Sequence, residues 1–287
     1  MSQHQHYRHL ALIAAMALFM QSLDATILNT ALPAISASLN ESPLEMQMTI
    51  ISYSLTVALF IPLTGWIADK YGTLNVFRAA VGIFVLGSVA CAMANSLNAL
   101  IWSRILQGMG GALMMPVARL TIIRNVPKTQ LVAAWNAMAM AGLIGPVLGP
   151  IVGGWLVTHA TWHWIFLINI PIGVLGILFA GRYMPNSTGK INKLDWRGFI
   201  LFAGGLAGVT LGLDLLSEER VNPGITTAIL STGFISFLLY YYYAKRAQNP
   251  LLPLNVFQVR TFHIGMIANI FIRLTASGIP FLMPLML

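Results

Sequence analysis

Charge is what this sequence has least of. Asp, Glu, Lys and Arg make up 8% of 287 residues, against roughly a quarter in a soluble domain. The acids are the scarcest, eight in all. A soluble fold of this size could not hide an apolar content of 57%, so lipid must be the solvent. Cysteine is nearly absent too. Cys91 stands alone in an apolar segment, which excludes an internal disulfide framework and a cysteine-rich metal site. No glycine-rich loop follows a strand pattern and no catalytic constellation is present, so the sequence points to no enzyme and implies no cofactor. A formal charge of +8 raises nucleic acid as a partner. The basic residues are scattered one to four per loop, and that distribution argues against it.

What is there instead is a series of apolar runs, each near the 20 residues that cross a hydrocarbon core of about 30 Å. Nine are expected, at 10–34, 46–68, 79–94, 99–123, 131–157, 164–184, 199–216, 226–244 and 262–287. The first is no cleavable signal, because it carries Asp24 and further spans follow. Thirteen Lys and Arg fall on one side of this array, whereas the opposite loops hold Arg220 alone. The positive-inside rule then places the amino terminus in the cytoplasm of a bacterial cell, under its inner membrane. Five regions follow: a six-span bundle (1–184), a cytoplasmic linker (185–198), a two-span insert (199–244), a cytoplasmic loop (245–261) and the first span of an incomplete second bundle (262–287). The end in an apolar run reads as a truncation.

The fifth run holds Gly142, Gly145, Pro146, Gly149, Pro150, Gly153 and Gly154. Gly145, Gly149 and Gly153 recur every four residues, and on a helix they make a ridge without side chains that admits a neighbour closely. Pro146 and Pro150 form a parallel ridge, each deleting one intrahelical hydrogen bond. In water such a helix would break. In a bilayer, neighbouring helices can satisfy the freed backbone. The pattern predicts a helix that packs tightly and bends, which suits a transporter better than an anchor.

Asp24 lies about 21 Å into the first span at 1.5 Å per residue. A charge there costs at least about 2.5 kcal/mol, so it needs a wet cavity or a partner. One reading is a proton- or cation-binding carboxylate. The plainer one is a capped polar residue that orients Thr26 and Asn29 for packing. In the fourth run, Gln107, Gly108 and Gly111 put Arg104 on a packing face, although snorkelling to the headgroups is the alternative. Asp69 is an acid in a basic loop, with Lys70 and Arg78 as neighbours. It reads as a latch, capping a helix amino terminus or pairing with a base, while Gly65 and Gly72 permit close approach. Arg273 sits mid-span in the ninth run, and Thr26, Asn29, Gln107 and Arg273 are candidates to line a cavity.

Four stretches together resemble the major facilitator superfamily, and more narrowly its fourteen-span drug:proton antiporters. They are Leu23-Asp24-Ala25-Thr26-Ile27-Leu28-Asn29 through Pro33, Gly65 through Gly72 with Arg78, Arg104 through Ala112, and the glycine–proline ladder. Trp162 through Gly173 adds a fifth likeness. The resemblance covers essentially the whole chain. It departs at Thr73-Leu74, where the family pattern continues with basic residues, and in length, since a fourteen-span carrier has five further helices. It implies an all-α membrane fold whose first and fourth helices line a central cavity, with Arg104 close enough to Asp24 to bias its protonation. It also implies an inter-domain latch at Gly65, Asp69, Lys70, Gly72 and Arg78. The expected activity is proton-coupled efflux of lipophilic or cationic compounds by alternating access. A symporter or metabolite exporter on the same scaffold, and a truncated remnant that transports nothing, are the alternatives.

Overall fold

The computed structural model describes residues 3–190, 193–216 and 222–272. Within them the chain is all-helical. Eight helices are long and apolar enough to cross a membrane. They are α1 (Gln3–Leu39), α2 (Gln47–Tyr71), α3 (Thr73–Ala92), α4 (Leu97–Asn125), α5 (Lys128–His159), α6 (Trp164–Tyr183), α7 (Trp196–Leu215) and α8 (Pro223–Arg246). The first part of the ninth run, residues 260–272, is helical as well; the rest of it, with Arg273, lies outside the described residues. A helix is the only open-chain solution here, because lipid offers nothing to an unpaired N–H or C=O.

Local chemistry sets the ends. Ser96 caps α4 by accepting from the Ala99 N–H at 3.3 Å, and Asp195 caps α7 by accepting from Gly198 N–H at 2.9 Å. Pro223 opens α8 behind Asn222, which accepts from Gly224 N–H. Gly72 separates α2 from α3 at φ +86°, a conformation that favours glycine, with the Asn186 side chain packed against its Cα. Because that break falls at Gly72, α3 begins six residues before the run expected from hydropathy. Pro62 produces a 3₁₀ turn, Ile61–Leu63, inside α2. α5 stays one helix through Pro146 and Pro150.

The glycine ladder meets α1. A Cβ at Gly145 would stand 2.8 Å from Ser22 Cβ and 2.9 Å from the Leu23 backbone nitrogen. One at Gly149 would stand 2.7 Å from Thr26 Cβ, and one at Gly153 3.0 Å from Ile27 Cγ1. Gly142 meets Leu18. Gly154 does not share this role: no heavy atom lies within 4 Å of a Cβ there. Pro146 and Pro150 face outwards and are exposed.

Glycines also bring α4 against its neighbours. A Cβ at Gly87 of α3 would come 2.6 Å from Gln107 Cα, and one at Gly108 would come 3.0 Å from the Tyr53 carbonyl of α2. Two apolar clusters result. One gathers Leu10–Met20 residues of α1 with Phe77, Phe84, Met114 and Ile122, and the other gathers Ile27, Leu28 and Ile35 with Leu100, Trp162 and Phe166. Along α1 and α4 the two clusters part around Asp24 and Arg104, between Met20 and Ile27 on α1 and between Leu100 and Met114 on α4. α7 and α8 pair as a hairpin through Gly208 and Gly233, with α7 also against α2.

Candidate coupling site

The gap between the clusters is filled by a polar node drawn from five helices. Asp24 of α1 and Arg104 of α4 are each 1% exposed and form an ion pair, Arg104 Nη1 donating to Asp24 Oδ2 at 2.7 Å. Gln107, one turn after Arg104 and on the same face, donates through Nε2 to Asp24 Oδ1 at 2.8 Å and to Ser88 Oγ of α3 at 2.9 Å. Asn169 of α6 donates through Nδ2 to the same Asp24 oxygen at 3.1 Å and to Ser88 Oγ at 3.3 Å. Arg104 Nε donates to the Thr49 carbonyl of α2 at 3.3 Å, and the guanidinium lies 4.2 Å from the centre of the Tyr53 ring. Cys91 of α3 directs its thiol at Gln107 Oε1, 3.8 Å away.

Burial makes such a pair expensive, and only nearly complete hydrogen bonding holds it. Asp24 accepts three bonds. Arg104, which carries donors only, places them on a carboxylate, an amide oxygen and a backbone carbonyl. Snorkelling is thereby ruled out for this arginine: its charge is spent inside the bundle. The node can hold a charge pair away from lipid.

The sequence brought Asp24, Arg104 and Gln107 forward together, and they do meet. It grouped Thr26 and Asn29 with them, and there the structure separates them. At 100° per residue, positions 26 and 29 point 160° and 140° away from Asp24. Thr26 turns to α5, its Oγ1 bonded to the Ser22 carbonyl at 2.9 Å, and Asn29 is exposed. Ser88 and Tyr53 were not singled out, Cys91 stood only as a lone thiol, and Asn169 only as part of the likeness running from Trp162 through Gly173. Asn169 offered a signal, as a lone amide in the middle of an apolar run.

At the end of the bundle that carries the basic loops, Asp69 pairs with Arg124 of α4, Oδ1 to Nη2 at 2.6 Å, both side chains about a quarter exposed at 26% and 29%. Lys70 and Arg78, its basic neighbours in the sequence, do not form this pair. Lys70 instead lies over the Trp66 ring at 4.7 Å, and Arg78 is exposed. Gly65 makes no close approach; it lines a cleft of about 420 Å³ with Trp66, Asp69, Lys190 and Lys193. The linker is pinned here: Thr73 N–H donates to Ser187 O, and Gly189 N–H to Asp69 O. Asp195 adds a second anchor, accepting from the Tyr243 hydroxyl at 2.6 Å and Leu251 N–H at 3.1 Å.

Known proteins resemble this chain in sequence and in fold. The chain is 67% identical to the "Probable transport protein HsrA" of Haemophilus influenzae, over 98% of this chain and 60% of that protein. It is 46% identical to the "Putative multidrug resistance protein MdtD" of Salmonella dublin, over 96% of this chain and 58% of that one. It thus spans about three fifths of the length of these relatives. Among solved structures, the peptide-transporter family member PepTSo superposes with a TM-score of 0.61 at 14% identity, covering 82% of this chain and 52% of that one. The human organic anion transporter MFSD10 gives 0.55 at 15% identity, covering 84% and 73%. At such identities these two likenesses speak for the fold alone. Residues 14–286 match the Major Facilitator Superfamily family. The chain is a multi-pass membrane protein and belongs to the Major Facilitator Superfamily, a family of transporters.

Proposed function

We propose that the full-length protein exports small lipophilic or cationic compounds across a bacterial cytoplasmic membrane in exchange for protons, by alternating access, with its amino terminus in the cytoplasm. The observation that carries this reading is the buried Asp24–Arg104 pair. A structural ion pair in lipid is a poor investment compared with apolar packing, whereas a carrier needs an acid whose charge state can change as the site opens and closes. Arg104 would bias that acid without itself releasing a proton. The relative named for multidrug resistance supports the substrate class. Full-length protein in proteoliposomes supplies the test. Drug addition should drive proton movement in the opposite direction, and Asp24→Asn should abolish that movement while drug binding persists. Normal coupling in Asp24→Asn, or proton and drug moving together, would sink the proposal.

The six-span unit at 1–184 would rock against a second bundle, the 199–244 hairpin riding beside it. Asp69 and Arg124, with Gly72 setting the turn and Lys70 and Arg78 at the surface, would latch the basic end. As a partly exposed pair, Asp69–Arg124 contributes about 1 kcal/mol or less to stability. Asp69→Arg should therefore leave the melting temperature nearly unchanged but slow transport. The double exchange Asp69→Arg with Arg124→Asp should recover most of the rate; no recovery would remove the pairing from the mechanism. The glycine ladder would keep α1 and α5 sealed while the unit moves.

A further inference from the structure

The two amides that serve Asp24 are not equivalent. Gln107 is committed at both ends. Its Nε2 donates to Asp24 and Ser88, and its Oε1 accepts from Arg104 Nη1 and the Cys91 thiol. Turned over, it would set N–H groups against two donors. Asn169 is committed at one end only. Its Nδ2 donates to Asp24 and Ser88, whereas its Oδ1 is fully buried and finds no partner among the described residues. An orphaned acceptor in a packed interior is uncommon and calls for a reason.

The reason lies in the other protonation state. Asp24 Oδ2 faces the positive charge of Arg104, so a proton is better placed on Oδ1, which meets only neutral amides. The new O–H then needs an acceptor. Arg104 has none to give. The Thr49 carbonyl is taken by Arg104, Gln107 Oε1 is taken twice, and Ser88 Oγ already accepts from Gln107 and Asn169. Around Asp24 the other titratable groups are Tyr53 from α2 and Cys91 from α3, while α5 presents glycines to α1. Among the described residues, Asn169 Oδ1 is a buried acceptor beside Asp24 that no donor claims, half a turn of a soft χ2 torsion away.

We propose that Asn169 reads the charge of Asp24: when Oδ1 of the acid takes a proton from water, the Asn169 carboxamide turns over and its own Oδ1 accepts the resulting O–H. The ionised acid has an amide donor, the neutral acid an amide acceptor, and the same side chain supplies both. Asn169 is a positioning residue for the proton step, and the inference rests on the reading of Asp24 as the proton carrier. It carries that charge state from α1 to α6, where Asn169 opens the helical segment after the break at Ile168.

Protonation-difference infrared spectra of the full-length protein, labelled with ¹³C-asparagine and reconstituted in lipid, test it. Acidification should raise a carboxylic C=O band that Asp24→Asn removes. It should also raise a paired asparagine amide signal that vanishes in both Asp24→Asn and Asn169→Val. The titration midpoint in Asn169→Val should stay within about half a pH unit, since donor and acceptor are lost together, while the carboxylic band shifts. A fixed donor to the carboxylate would instead move the midpoint by about one unit, a tenfold change in proton affinity. That displacement, or an asparagine signal indifferent to Asp24, overturns the inference and leaves the proton carrier standing. Absence of the carboxylic band from the unsubstituted protein overturns the carrier reading itself. The labelled spectrum needs no variant to fold.

Discussion

Arg104→Met should destabilise the bundle by about 3–5 kcal/mol, the loss typical when one member of a buried pair is removed and the other is left charged. Asp24 would remain with two amide donors and no counter-charge, 1% exposed among apolar side chains. Methionine fills similar volume, so the deficit would be electrostatic and not a cavity. Adding Asp24→Asn should return most of that loss. The asparagine oxygen keeps Gln107 and Asn169 as donors, and no charge remains to be neutralised. The measurement is a double-mutant cycle on melting in detergent. The double variant should be more stable than either single one, because neighbours in one network are not additive. Strict additivity would show that the two side chains do not depend on each other. The double variant is also expected to transport nothing against a proton gradient, which separates the stability of the node from its use.

The second large effect is expected at the ladder. Gly145→Val places a branched side chain where the α1 backbone already lies 2.9 Å from the first added carbon. A flexible neighbour could swing aside, but the Leu23 peptide nitrogen cannot. α5 must therefore move away from α1, at a cost of about 1–3 kcal/mol or more. Gly154→Val, nine residues on, meets no heavy atom within 4 Å and should stay within about 0.5 kcal/mol of the parent. Melting temperatures of the two variants give the comparison. Equal losses would mean that glycine is retained along α5 for backbone reasons, and that contact with α1 is incidental. Proton leak in vesicles should rise in Gly145→Val and not in Gly154→Val if the ladder seals the interface.

Much of this architecture was legible because lipid simplifies the code. A span is a run of apolar residues of sufficient length, and the eight described helices sit within a few residues of the runs, except where a glycine or an interfacial stretch moved an end. The pairing of the ladder with a close neighbour was also legible, since a four-residue glycine repeat has one obvious use. Which neighbour it meets was not. Position along the chain says nothing about whether α5 lies against α1 or α4. Gly65 and Gly154 illustrate the converse. They stood in the right patterns, yet one lines a cleft and the other meets nothing.

Asp24 and Arg104 could be picked out from sequence because a charge inside a span is costly enough to need a purpose. Their partners could not. Ser88, Asn169 and the Thr49 carbonyl are inexpensive groups that ordinary apolar helices carry anyway, and only their convergence gives them meaning. The same holds at the basic end, where Lys70 and Arg78 were nearer to Asp69 in the chain but Arg124 was nearer in space. The sequence by itself determined the solvent, the approximate place of the eight described spans, and which residues were too costly to be idle. The tertiary structure alone decided who satisfies them, because helix rotation and packing order are fixed by contacts between segments far apart in the chain, such as Asn169 and Asp24, which lie 145 positions apart.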